Sequence, residues 1–205
     1  MVCRAAAPGH REDLPLKDTV IVFARAPRLG TVKRRLAREI GDRAALRFYA
    51  GSLARLLRAL LRDRRFRTVL AVTPDRARTR WPVRVPAIAQ GGGNLGTRMH
   101  RACARYRRGR VAIVGSDIPD TEADDLAAAF RAVRRGGAAF GPAMDGGYWL
   151  VALGSRRPAR PFADVRWSSQ HALADTLRNF AGRRVVLLRT LRDVDTAADL
   201  RAVAG

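Results

Sequence analysis

The stretch "TVIVFARAPRLGTVKRRL" (residues 19–36) decides how this chain is read. Apart from Arg25, residues 19–26 are β-branched, aromatic and small side chains, which predict a buried strand. Pro27 and Gly30 interrupt that run, and a helical pattern begins near Val32. A buried strand passing through a short loop into a helix is the building unit of a parallel α/β sheet. In such sheets ligands gather at the carboxyl ends of the strands. Here that end carries Arg25, Gly30 and Lys33.

The unit recurs along the chain. Residues 42–61 place Leu46, Tyr49, Leu53, Leu56, Leu57 and Leu60 at spacings of three and four, a long amphipathic helix. Strands are predicted at 68–74, 110–116, 136–143, 147–153 and 184–191, with a short extended piece at 83–90. Helices are predicted at 95–106, behind an N-cap at Thr121, behind Ser168 or Ser169 to about 180, and at 195–204. Thr121 has Asp124 three residues on, a capping-box-like spacing, and Leu126, Phe130 and Val133 share one face behind it. Strands alternating with helices predict an α/β class with a mainly parallel sheet. Residues 18–205 read as one domain behind a flexible leader, 1–17.

Composition narrows the function classes. The 205 residues are 47% hydrophobic and 28% charged, which suits a globular domain with a sizeable core. Apolar runs such as 20–24 and 185–188 are far too short to span a bilayer, and the first residues lack a signal-peptide core. Cys3 and Cys103 have neither metal-site spacing nor a disulfide framework. A cytoplasmic enzyme or binding protein is expected. The net charge is +22, yet of 40 basic residues only Lys17 and Lys33 are lysine. Arginine and alanine enrichment of this kind follows from GC-rich codons. The arginines are spread along the chain, so no specific nucleic-acid partner is expected, whereas non-specific attraction to polyanions is.

Four strand-end loops have residues suited to chemistry. In 24–36, Gly30 allows close approach of backbone, the following helix offers free N–H groups, and Lys33, Arg25, Arg34 and Arg35 can pair with phosphate; a plain strand–helix turn is the alternative. In "VGSDIPD" (114–120), Asp117 suits either a Mg²⁺ ligand or a turn cap. In "GPAMDGGYWL" (141–150), Gly146 and Gly147 suit backbone lying against a sugar or phosphate, and Asp145 can accept from hydroxyls or serve as a base. The alternative is a hairpin with Tyr148 and Leu150 inward and Trp149 outward. In "RDVDTAADL" (192–200), Asp193 and Asp195 precede a helix that Thr196 can start. His10 and His100 have no partner at metal-binding spacing, and His171 stays open.

Taken in order, "FARAPRLGTVKRRL", "GNLGTRM", "GSDIPD", "GPAMDGGYWL", "RWSS" and "DVDTAADL" resemble a bacterial family of GT-A-type proteins. That family is labelled DUF2064, MobA-like or arsenosugar-biosynthesis glycosyltransferase-like. The resemblance spans residues 20 to 200. It implies the GT-A, or nucleotide-diphospho-sugar transferase, fold: a Rossmann-like, mostly parallel sheet flanked by helices. It also implies kinship with the guanylyltransferases acting on molybdopterin and 2-phospholactate, which use an NTP and Mg²⁺.

By motif match, Ala24, Arg25, Gly30 and Lys33 would line the nucleotide phosphates, and Gln90, Gly96 and Thr97 the base. Asp117 would be the main ligand of Mg²⁺ or Mn²⁺, with Asp195 a second. Asp145, Gly146 and Gly147 would face the acceptor or sugar, and Lys33, Asp117 and Asp145 would carry the catalysis. Two positions depart from the family pattern: Arg25 stands where lysine is usual, and Arg34 replaces a threonine. The expected function is a nucleotide-dependent transferase, a metal-dependent glycosyltransferase first, moving a group from a nucleotide or nucleotide-sugar donor to a small-molecule acceptor. The alternatives are nucleotidyl transfer and a non-catalytic nucleotide- or polyanion-binding protein.

Overall fold

The computed structural model describes residues 17–77, 79 and 81–204; the leader expected at 1–17, apart from Lys17, lies outside them, as do Cys3 and His10. Chain order is β1 (Thr19–Arg25), α1 (Arg34–Ile40), α2 (Asp42–Arg62), β2 (Arg67–Thr73), β3 (Ala87–Ala89) and α3 (Leu95–Ala104). It continues with β4 (Val111–Gly115), α4 (Ala123–Ala132), β5 (Ala138–Pro142), β6 (Tyr148–Leu153), α5 (Ala172–Arg178), β7 (Val185–Leu187) and α6 (Ala197–Ala204). The strands form one sheet in the order β3-β2-β1-β4-β6-β5-β7. Neighbours are parallel except β6, which runs antiparallel to β4 and β5.

Both faces of the sheet are covered, so its central strands are apolar on both sides. Val20, Val22 and Ala24 pack with Leu53, Leu57 and Leu60 of α2 and Leu126 and Phe130 of α4. The alternate residue Ile21 packs the other way, with Met99, Ala102 and Cys103 of α3 and with Phe180. Burying a leucine of α2 stabilises by about 1.5–3 kcal/mol. A third cluster, Leu36, Ala45 and Val194, ties the first loop-helix unit to the C-terminal segment. Cys103 is fully enclosed, and burial pushes its thiol up to about 12, which removes it from thiolate chemistry at neutral pH.

Burial on both faces accounts for one difference from the sequence reading. Segments 141–150 do form a β5–β6 hairpin, but Trp149 does not face outward: it is 3% exposed, under the helices. Capping differs too. The N-cap of α4 is Glu122, whose N–H donates to Asp125 Oδ2 at 2.9 Å, and Thr121 is buried one residue earlier. The α5 helix starts after His171, with Ser169 Oγ accepting from His171 N–H at 3.2 Å. The 184–191 segment pairs as a strand only over Val185–Leu187, with a single further bridge from Leu191 to Ala143.

Candidate active site

Register brings the four loops together. Arg25 is level with Thr73 on β2, and Phe23 is level with Gly115 on β4, so β1, β2 and β4 all end on one edge. The β5–β6 turn and the segment after β7 open on the same edge, because β5 runs parallel to β7 and is joined to β6 by that turn. This is the strand-end crevice in which open α/β sheets bind ligands.

Lys33 sits at the centre of the crevice. It is the residue before α1 and adopts a left-handed backbone (φ 47°, ψ 46°). Such a conformation costs a non-glycine residue roughly 1–3 kcal/mol and persists only when the surroundings hold it. Here the side chain is 3% exposed and its ammonium lies 3.1 Å from Asp195 Oδ1 and 3.5 Å from Asp117 Oδ2. A buried cation requires such partners. Arg35 Nη1 approaches Asp195 Oδ2 at 3.4 Å; Thr196 precedes α6 and accepts from Asp199 N–H, while Asp199 in the first turn accepts from the N–H groups of Asp195 and Thr196.

Two cavities meet at Asp117. The smaller, ≈ 220 Å³, is lined by Ala24, Arg25, Lys33, Gln90, Arg98 and Asp117 among others: three cationic side chains and one carboxylate. Arg98 is held by Gln90, whose Oε1 accepts from Arg98 Nη1 at 2.9 Å. The Gln90 amide nitrogen donates to the carbonyls of Ala71 and Ala24. Burial, then the Arg25 charge, lowers the Arg98 guanidinium below its ordinary range. Two guanidinium groups and an ammonium around one small space form an anion-binding arrangement.

Tyr49 of α2 closes the floor of this cavity. Its hydroxyl accepts from Arg25 N–H and donates to the Arg25 carbonyl, both at 2.9 Å, and lies 3.2 Å from Ser116 Oγ. Burial pushes the phenol up to about 12, so it stays protonated and holds the ends of β1 and β4 in place.

The larger cavity, ≈ 400 Å³, has a different character. Its walls include Tyr148, Trp149 and Trp167, and its charged residues are Asp117, Asp145 and Asp193. Burial, then the Asp145 and Asp195 carboxylates, hold the Asp193 carboxyl above the usual carboxylate range. Asp145 Oδ1 accepts from Gly147 N–H at 2.9 Å, which shapes the turn. Gly146 (φ +83°) turns against Gln170: a Cβ there would lie 2.2 Å from the Gln170 carbonyl oxygen. Of the residues expected to face a sugar or acceptor, Asp145 and Gly147 line the cavity, while Gly146 packs the turn onto the opposite wall.

Other expected site residues are placed as follows. Gly30 (φ +70°) shapes the 26–33 loop without lining either cavity. Gly96 lies inside α3, where a Cβ would meet the Phe162 carbonyl at 2.7 Å and Trp167 at 2.9 Å. Thr97 belongs to the cap of α3, its N–H and hydroxyl both donating to Asn94 Oδ1. Among the described residues no group of three or more His, Cys, Asp or Glu is arranged to hold a metal ion by itself. The sequence does not single out Tyr49, Arg98 or Trp167, which the fold brings to the cavities. Arg98 was within reach, since it is the arginine of "GNLGTRM"; Tyr49 read as one more core position of an amphipathic helix.

The family model described as an uncharacterized protein conserved in bacteria (DUF2064) matches residues 56–169. The chain belongs to the DUF2064 family. No curated protein matches it in sequence. Among solved structures, this DUF2064 member is similar to a protein of Desulfovibrio desulfuricans G20 described as a nucleotide-diphospho-sugar transferase. The two share 29% identity over 91% of this chain and 85% of the other, with a TM-score of 0.84. The Rv0371c protein of Mycobacterium tuberculosis H37Rv shares 17% identity over 93% and 98% of the two chains, TM-score 0.57. A 4-diphosphocytidyl-2C-methyl-D-erythritol synthase shares 15% over 93% and 98%, TM-score 0.56. The fold of this DUF2064 chain is that of the nucleotide-diphospho-sugar transferases: α/β, with a mostly parallel sheet flanked by helices. No helix among the described residues is long and apolar enough to cross a membrane.

Proposed function

We propose that this protein is a metal-dependent glycosyltransferase that takes a nucleotide-sugar donor and a small-molecule acceptor. One observation carries the reading: a cationic cavity and an acidic, aromatic cavity meet at a single carboxylate, Asp117. The first suits the donor's diphosphate and the second the acceptor to which the donor's sugar is transferred. The likeness to the Desulfovibrio protein supports the same class.

Asp117 and Asp195 fit a divalent cation. Mg²⁺ takes one or two carboxylates, keeps several waters and completes its shell with substrate phosphates. Both carboxylates are partly exposed and already gathered round one cation, the Lys33 ammonium. When bound, Mg²⁺ or Mn²⁺ would supply Lewis-acid stabilisation of phosphate oxygens.

In this mechanism Arg25, Lys33 and Arg98 hold the diphosphate and stabilise the charge that grows on it as it leaves. An acceptor oxygen attacks the anomeric carbon, the bond from that carbon to the phosphate oxygen breaks, and the nucleoside diphosphate departs. Asp145 orients the acceptor hydroxyl and receives its proton.

The test is thermal stabilisation by a panel of NTPs and sugar nucleotides, with and without Mg²⁺ or Mn²⁺, followed by mass analysis of products. A ligand at 100 times its Kd stabilises by about 2.7 kcal/mol. Selective stabilisation by one sugar nucleotide with metal is the expected outcome. Response to an NTP alone turns the assignment to nucleotidyl transfer. No metal-dependent response overturns the transferase reading.

A further inference from the structure

The chain carries 40 Lys and Arg against 18 Asp and Glu, so a cavity lined at random would be expected to be basic. The ≈ 400 Å³ cavity reverses that balance: among the described residues its charged lining is Asp117, Asp145 and Asp193, with no Lys, Arg or His. The remaining walls are mainly apolar. The polar ends of two of its rings are already occupied within the protein: Trp149 Nε1 donates to the Arg189 carbonyl at 3.2 Å, and the Tyr148 hydroxyl lies 3.4 Å from Thr176 Oγ1. What these rings offer a ligand is apolar surface. The cationic side chains stand on the other side of Asp117, in the smaller cavity.

We infer that the larger cavity is built for a non-anionic acceptor: a small molecule with an apolar body and a neutral or cationic head, carrying no phosphate or carboxylate. An anionic head would lie beside Asp145 and Asp193, with no lining cation to neutralise it, whereas a hydroxyl or ammonium would donate to those carboxylates. A metal on Asp117 leaves Asp145 and Asp193 still facing the occupant. Naming the occupant an acceptor rests on the transferase reading; the charge preference of the cavity does not.

Three probes with one apolar body separate the possibilities: 2-phenylethanol, 2-phenylethylamine and 2-phenylethyl phosphate. Calorimetric titrations are made on the whole protein in about 0.3 M salt, which screens attraction of the phosphate to surface arginines. The amine and the alcohol are expected to bind at one site, each at least about tenfold more tightly than the phosphate, a difference of one decade in Kd. Asp145→Lys, a change in an exposed turn, is expected to erase the amine's advantage over the phosphate. Tighter binding of the phosphate, equal binding of all three, or no binding of any overturns the inference.

The donor panel, run on the same preparation, keeps the two claims apart. Donor binding together with preference for the phosphate probe defeats the acceptor class and leaves the transferase reading standing. Preference for the amine without any donor response does the reverse.

Discussion

The Lys33 ammonium stands 3.1 Å from Asp195 Oδ1, although 162 positions separate the two residues in the chain. The same ammonium is 3.5 Å from Asp117 Oδ2, so one buried cation joins the ends of β1 and β4 to the start of α6. Its left-handed backbone and its enclosure show that the loop is folded around this charge. Replacing it tests the anion site directly. For Lys33→Met, loss of a charge-assisted contact to phosphate is expected to cost about 1.5–3 kcal/mol of donor binding. That is roughly 10- to 100-fold in Kd, read by calorimetry. An unchanged Kd would show that the phosphates lie elsewhere.

Asp117 is half exposed, so its own contribution to stability is small. Asp117→Asn is expected to keep the midpoint of thermal unfolding within about 2–4 °C, the shift that roughly 1 kcal/mol produces in a chain of this size. Metal-dependent turnover and metal-dependent donor stabilisation should both disappear. Retention of either rules out Asp117 as the metal ligand.

Tyr49→Phe keeps the ring in the core and removes the hydroxyl that spans Arg25 and Ser116. The part-buried Arg25 backbone groups would lose their partner, which costs about 1 kcal/mol. Urea unfolding should show that loss, accompanied by weaker donor binding because the end of β1 is no longer tied to β4. Wild-type stability would mean that water replaces the phenol without penalty.

Asp175 predicts an acid limb of stability. Arg166 grips its carboxylate with Nε at 2.8 Å and Nη2 at 2.9 Å, Arg178 adds a third contact, and these hold the carboxyl well below the usual range. A carboxyl depressed in the folded state stabilises most above its unfolded value, about 3.9. That contribution is lost as pH falls from there through the lower folded value. The unfolding midpoint of wild type should therefore exceed that of Asp175→Asn near pH 6, with the gap closing as the pH drops below 4. A gap independent of pH would assign the stabilisation to shape, not charge.

Gly146→Ala should disturb the second cavity alone. The position combines φ +83° with only 2.2 Å between a would-be Cβ and the Gln170 carbonyl, so both backbone and neighbour must shift. A cost of roughly 1–3 kcal/mol is expected from the backbone conformation. Binding of the 2-phenylethylamine probe should weaken while donor binding at the Lys33 cavity is kept. Equal loss of both would mean that the turn supports the whole crevice.

Much of this molecule was legible in the chain because helices and strands record themselves locally. The leucine spacing of 42–61 marked α2 (Asp42–Arg62) almost to the residue, and the β-branched run at 19–26 marked β1. Loop chemistry was legible in kind: glycines where φ is positive, and Asp, Lys and Arg at strand ends. Which of those groups meet was beyond any local rule. Thr121 has the side chain favoured at an N-cap, yet the cap falls on Glu122 with Asp125 three residues on, a choice made by the packing of α4. Trp149 reads as the outward member of an alternating strand, yet helices cover that face as well.

The sequence by itself determined the order of elements, the parallel α/β class and the set of strand-end loops, since periodicity and turn chemistry act over a few residues. Tertiary structure alone decided the pairing of Lys33 with Asp117 and Asp195 and the seating of Arg98 on Gln90. It also decided the separation of a basic cavity from an acidic one. Electrostatic neutralisation and enclosure are sums over segments far apart in the chain, and they take a value only when the sheet has set those segments side by side.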